Sequence, residues 1–137
     1  MSIQEKEKEI VEEFALFEDD WEQKYAHLID LGRSLPLISE DERTDDRLVK
    51  GCQSRVWLKA EMEDGRMVYR ADSDAIITKG MVALMVRVLS GQKPEDIVKA
   101  ELGFVDQIGL KEHLSPTRAN GLLSMINRMK QEAVKWL

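Results

Sequence analysis

The chain carries one thiol, Cys52, in the stretch Gly51-Cys52-Gln53-Ser54-Arg55-Val56-Trp57-Leu58. A cysteine sulfur is a nucleophile and a soft metal ligand when ionised, so its surroundings decide its use. A long polar segment precedes this one and the clearest strand pattern in the chain follows it, a place that packing alone does not call for. Gly51 permits positive φ, and Gln53 and Ser54 have side chains able to bond the free backbone groups of a turn. A thiol in such a turn can be presented or withdrawn by a small backbone change. The competing reading is a buried structural cysteine, because a free cysteine packs as a small hydrophobe.

The remaining reactive groups narrow the chemistry. His27 and His113 are too scattered, with Cys52, for a metal site built on closely spaced ligands. A Cys–His nucleophile pair requires the fold to carry one histidine to the turn. No glycine-rich phosphate loop precedes a helix. The acidic clusters read as solvated helix faces, not as paired catalytic carboxylates. What is left is one thiol. A lone thiol cannot resolve itself, so it either accepts a group and hands it on or resolves with a partner's thiol.

Composition bounds the setting. With 26 acidic and 20 basic residues in 137, the net charge is -6, the wrong sign for a surface that draws nucleic-acid phosphates. An apolar share of 43% beside 34% charged residues marks a globular chain, and its length suits one domain over residues 1–137. A single cysteine cannot make an internal disulfide. The first residues lack an apolar signal core, and the apolar-rich stretch 75–89 is too short to span a bilayer. The expectation is a reduced, cytoplasmic domain with no membrane partner.

Several elements must position the thiol. Ser2 and Glu5 form a capping-box pair ahead of a helix from Ile3 to about Phe17. Trp21, Tyr25, Leu28 and Ile29 recur at helical spacing, with Gly32 placed for a left-handed C-cap. Residues 38–46 are charged and aperiodic, a loop, and Arg47 to Lys50 make a candidate short strand. Val56, Leu58, Ala60 and Met62 alternate with polar residues up to Asp64-Gly65, the signature of a type I′ hairpin turn. That turn sets Met62 opposite Met67, Ala60 opposite Tyr69 and Leu58 opposite Ala71, and it leaves Lys59, Arg70, Trp57 and Asp72 on a mostly solvated face. Asp72-Ser73-Asp74 offers N-caps to a nearly all-apolar, buried helix from Ala75 to Ser90, in which Gly80 implies a close neighbour. Pro94 opens a short helix, Phe104 to Ile108 another, and Ser115-Pro116 caps the last. The expected fold class is α+β: two helices, a small three-stranded antiparallel meander, then three or more helices.

These residues also carry a resemblance. Trp21-Glu22-Gln23-Lys24-Tyr25, Leu31-Gly32, Leu35-Pro36, Gly51-Cys52-Gln53-Ser54 with Val56-Trp57, and Asp72-Ser73-Asp74 together resemble the SufE family. Lys79-Gly80, Pro94-Glu95-Asp96-Ile97-Val98, and His113-Leu114-Ser115-Pro116-Thr117-Arg118 with Gly121-Leu122 extend it over nearly the whole chain. The resemblance implies a sulfur acceptor for iron–sulfur cluster assembly. Cys52 would take a persulfide sulfur from a PLP-dependent cysteine desulfurase of the SufS or CsdA type and speed that enzyme. It would pass the sulfur to a scaffold such as the SufBCD complex. No cofactor of its own is implied, and a homodimer is left open. Gly51, Gln53 and Ser54 would support the cysteine turn.

Two rivals stand beside this reading. A scaffold of the IscU type holds its cluster on several thiolates, which one cysteine does not supply. A non-catalytic adaptor would bind a partner through Trp57 and the polar loop with Cys52 inert. Among the cations, Lys50 and Arg55 flank the thiol, whereas Arg118 sits in the second matching motif at the start of the last helix. Arg118 is therefore the expected thiolate stabiliser. If the strand's alternation runs back through the turn, Ser54 and Cys52 share the core-facing side. The thiol is then guarded in the free protein and turned outward on the partner.

Overall fold

The computed structural model describes residues 1–137, with every side chain except that of Lys111. Helix α1 (Ile3–Ala15) starts at a full capping box, in which Ser2 accepts from the Glu5 amide and the Glu5 side chain accepts from the Ser2 amide. Asp20 caps α2 (Trp21–Arg33) by accepting from the Gln23 amide at 3.2 Å. Strands β1 (Val56–Glu63) and β2 (Arg66–Ser73) form the hairpin, and α3 (Ile76–Leu89) packs on it. Short helices α4 (Pro94–Lys99), α5 (Phe104–Gln107) and α6 (Leu110–His113) lead to the 19-residue α7 (Pro116–Val134). Among the described residues no helix is long and apolar enough to cross a membrane.

The hairpin forms in the expected register, Met62 opposite Met67, Ala60 opposite Tyr69 and Leu58 opposite Ala71. Asp64 and Gly65 take φ of +52° and +78°, the two positive values that a type I′ turn requires. The inward face brings Leu58, Met67, Tyr69 and Ala71 into the core, and the Tyr69 hydroxyl donates to the Met129 carbonyl of α7 at 2.7 Å. The α+β class holds, but the sheet has two strands instead of three. Leu48 makes only a bridge to Trp57, and the Val49 amide donates to the Val56 carbonyl at 2.8 Å. Pairing stops there because the Leu48 carbonyl turns to Arg128 of α7.

Helix α3 is the buried centre, with Met81 to Val86 all inside. Its crossing with α2 explains two glycines. Gly32 is not a left-handed C-cap but lies inside α2, where a Cβ would stand 3.1 Å from the Gly80 amide nitrogen. A Cβ on Gly80 would overlap the Leu28 carbonyl outright. Gly80→Ala should therefore destabilise the fold despite the gain of about 1 kcal/mol in helix propensity. Overlap with backbone cannot be relieved by a rotamer change, so a net loss of about 2 kcal/mol is expected. Denaturant titration reads it as a lower midpoint at unchanged slope, and a midpoint at or above the parent's would contradict the crossing.

The outer face of the hairpin is less solvated than its alternation implies. Residues 38–47 fold over it in two 3-10 turns, Glu40–Glu42 and Asp45–Arg47. Glu42 pairs with Lys59, and Arg43 pairs with Asp72 and lies 5.7 Å from the Trp57 ring. Asp72 is 5% exposed and also holds Lys79 at 3.3 Å. Asp72-Ser73-Asp74 accordingly does other work than capping. Ala75 occupies the N-cap of α3 without a side-chain bond, while Asp74 accepts from the Arg55 amide at 3.0 Å.

Candidate functional site

Cys52 lies in the connection between the bridge at Leu48 and strand β1, on the side that faces α7. Val56 and Leu58 of β1 are buried, and the alternation continues backwards, with Ser54 and Cys52 half-buried and Arg55, Gln53 and Gly51 exposed. Residues 50–54 are turn and bend instead of strand, yet they keep the strand's alternation of burial, and the sulfur is turned toward α7. Gly51 makes this geometry with φ +92°, and a Cβ there would overlap the Ser124 hydroxyl of α7. The loop is pressed against the helix at that point.

The sulfur meets α7 one turn earlier. Cys52 Sγ donates to the Gly121 carbonyl at 3.4 Å, and a Cβ on Gly121 would lie 3.6 Å from the sulfur. Gly121 is therefore a thin place in the helix that lets the sulfur approach its backbone. Cys52, Gln53, Ser54, Thr78, Thr117 and Arg118 rim a small cleft of about 100 Å³, whose apolar wall includes Val56, Met81, Val82, Leu122 and Met125. Burial pushes the Cys52 thiol above its usual value. A carbonyl acceptor acts in the same direction, because it bonds the S–H form only. In this conformation the site holds a protonated, sheltered thiol.

The sequence-based site residues are placed as follows. Gly51, Cys52, Gln53 and Ser54 are together in the loop, and Arg118 joins Cys52 at the cleft rim from the first turn of α7. Ser115 caps that helix, accepting from the Arg118 amide at 3.3 Å. No side-chain bond from Gln53 or Ser54 to the turn's backbone is among the described contacts. Burial is the cause at work on the thiol in this conformation, and it acts upward. Lys50 and Arg55 are exposed.

Neither histidine reaches the sulfur. His27 contacts Glu13 at 3.0 Å, and His113 stacks on Trp21 with ring centroids 3.8 Å apart while its carbonyl accepts from Tyr25 Oη at 2.7 Å. Among the described residues no group of three or more His, Cys, Asp and Glu side chains could hold a metal ion.

Ser124, Thr78, Thr117 and Met81 were not picked out as site residues from the sequence. Their periodicity marks them only as helix positions, and nothing local says that a loop docks there. Gly121 carried a usable signal, a glycine in a helix interior where alanine would be about 1 kcal/mol better.

Comparison with known proteins bears on the family and the fold. The family model SufE, described as an Fe-S metabolism associated domain, matches residues 8–133. An uncharacterized SufE-like protein of Rhizobium meliloti (strain 1021) is 42% identical over 130 residues, which are 91% of this chain and 92% of that one. An uncharacterized SufE-like protein of Synechocystis is 36% identical over 125 residues, 91% of this chain and 78% of that one. A chloroplastic/mitochondrial SufE-like protein of Arabidopsis thaliana is 39% identical over 112 residues, 81% of this chain but 30% of that one. The solution structure of a hypothetical protein from Thermus thermophilus shares the fold, with a TM-score of 0.78 at 23% identity over 95% of this chain and 94% of that one.

Proposed function

This chain belongs to the SufE family, whose domain is associated with Fe–S metabolism, and from that premise we propose that Cys52 accepts and carries sulfur for cluster assembly. The donor is the persulfide of a PLP-dependent cysteine desulfurase of the SufS or CsdA type. The recipient is a cluster scaffold such as the SufBCD complex. The observation that carries this reading is a lone thiol held beside a cleft with an apolar wall, in a loop whose two ends are tied at Val49 and Arg55.

The transfer balances without an oxidant. Cys52, as thiolate, attacks the outer sulfur of the desulfurase persulfide. A new Sγ–S bond forms as the desulfurase's S–S bond breaks, and the electron pair stays on the desulfurase cysteine, which takes up a proton. The proton lost by Cys52 equals the one gained there. A chain with one cysteine has no internal thiol to attack the product, so the carried sulfur waits for an external acceptor.

The sheltered thiol and the reactive thiolate ask for two loop positions. Burial and the Gly121 carbonyl hold the protonated form inside. The outward position restores water and lets the sulfur meet its donor. A desulfurase that binds the outward loop better shifts the population by that difference in affinity. Arg118, at the rim, is then placed to meet an anionic sulfur as it leaves the cleft.

The test is cysteine turnover by candidate desulfurases with and without this chain under multiple-turnover conditions. Clearing the desulfurase's cysteine should raise the rate of alanine release by about tenfold, the scale of one sluggish exchange step removed. A rate that stays flat with desulfurases of both types would contradict the acceptor role.

A further inference from the structure

We propose that Arg128 is a positioning residue that clamps the base of the cysteine loop to α7 and so sets how readily Cys52 leaves its cleft. Its bearing on function rests on Cys52 being the sulfur acceptor, whereas its geometry concerns the free chain alone.

Residues 121, 124 and 128 are spaced three and four apart, so they share one face of α7. Each meets a different part of the segment that ends in the thiol. Gly121 receives the sulfur, Ser124 abuts Gly51, and Arg128 grips the start of the segment. The grip is made by Nη1 donating to the Leu48 carbonyl at 3.1 Å and Nη2 donating to the Asp46 carbonyl at 2.8 Å. Nε donates to Glu132 at 3.1 Å, which fixes the plane of the guanidinium. All three nitrogens are therefore engaged, and the fork is aimed before the loop arrives.

The clamp lies just outside a natural pivot. The Val49 amide bonds the Val56 carbonyl at 2.8 Å and closes the loop at its neck, and Asp74 holds the Arg55 amide at 3.0 Å on the far side. Residues 50–54 are the part between these ties, and they contain Gly51 at φ +92°. Movement limited to 50–54 leaves the Arg128 bonds intact. A wider swing, or a slide of the segment along α7, must break them. Charge at the helix end does not explain Arg128, which stands well before the last residue of α7, Val134, and spends its donors on loop carbonyls.

A clamp and an electrostatic helper differ in sign. Arg118 is the one other titratable side chain that lines the cleft with Cys52 among the described residues, while Lys50 and Arg55 flank it exposed. If Arg128 acted by its charge, removing it would disfavour the thiolate, raise the midpoint of the reactivity–pH curve and slow labelling. If it is a clamp, removing it frees the sulfur from its burial. The midpoint then falls towards the ordinary thiol value of about 8.5.

The experiment is the iodoacetamide labelling rate of Cys52 in the free, full-length chain across pH, for the parent, Arg128→Ala, Arg128→Lys and Lys130→Met. Lys130 is the control, because it ties α7 to the Ala100 carbonyl away from the cysteine loop. Arg128→Ala should label about five- to tenfold faster at neutral pH with a lowered midpoint, as expected when charge-assisted bonds at a part-exposed site are lost. Arg128→Lys, which reaches one carbonyl at a time, should fall between, and Lys130→Met should match the parent. Unchanged or slower labelling in Arg128→Ala, or an equal rise in Lys130→Met, overturns the clamp. Should the alanine variant fail to fold, the lysine variant decides, and no rise there overturns it. Failure of the acceptor reading would instead show as no sulfur gained from a desulfurase, a measurement this labelling does not involve.

Discussion

Cys52→Ser should leave a folded chain that no longer accepts sulfur or raises desulfurase turnover above the enzyme's own rate. The expected loss is complete, because the chain has one sulfur nucleophile and a hydroxyl does not form a persulfide. The variant is also a clean one. Serine is close to cysteine in volume, and its hydroxyl can donate to the same Gly121 carbonyl that Cys52 Sγ reaches at 3.4 Å. Half-buried substitutions that keep a donor in place shift stability by about 1 kcal/mol or less. A serine variant that still raised turnover would instead favour an adaptor that works through its surface with Cys52 inert. Thermal melting alongside the assay separates loss of chemistry from loss of fold.

Gly51→Ala should open the site in the free protein. Two effects act together at this residue. A non-glycine residue at φ +92° is strained by about 1–2 kcal/mol, and the new Cβ would overlap the Ser124 hydroxyl. The loop relieves both by lifting from α7, which carries Cys52 away from Gly121 and into water. Alkylation of Cys52 should then rise by about tenfold or more, on the scale of 1.4 kcal/mol per factor of ten. Adding Ser124→Gly removes the overlap but not the backbone strain, so the double variant should recover part of the protection. Parent-like labelling in Gly51→Ala would mean that the loop is not held by this contact, and full recovery in the double variant would assign the whole effect to the overlap.

The sequence was most readable where a local rule has a single structural solution. Asp64-Gly65 admits one common hairpin turn, and the complete β1–β2 register follows from it. The capping box at Ser2 and Glu5 is equally local. Gly80 announced a close neighbour, which proved to be Leu28. Cys52 and Ser54 keep the half-buried side that the alternation of β1 implied, although residues 50–54 are turn and bend.

Other features depend on partners distant in sequence, and there the local rules misled. Asp72 had the look of a helix cap, yet a buried carboxylate between Arg43 and Lys79 is set by how the polar loop before β1 folds back over the hairpin. Gly32 suits a C-cap by position, and only the α2–α3 crossing shows that it is a thin spot inside the helix. Residues 47–50 read as a strand because nothing in them reveals that Arg128 takes the Leu48 carbonyl. The polar loop, charged and aperiodic in sequence, is tied down through Glu42, Arg43 and Arg47. Arg128 adds a further tie at the start of the cysteine segment, through the Leu48 and Asp46 carbonyls. Arg118 was legible as a neighbour of the site, but the state of the thiol was not, since it depends on how closely α7 covers the sulfur.

The most direct measurement is the intact mass of this chain after incubation with a cysteine desulfurase and cysteine, taken without reductant. The parent should gain one sulfur, about 32 Da on the first rung of thiol modification, removable by a reducing thiol. The Cys52→Ser chain treated in parallel should gain nothing. A parent mass that stays unchanged with desulfurases of both the SufS and CsdA types would contradict the acceptor role of Cys52, and so would a gain that persists in the serine variant.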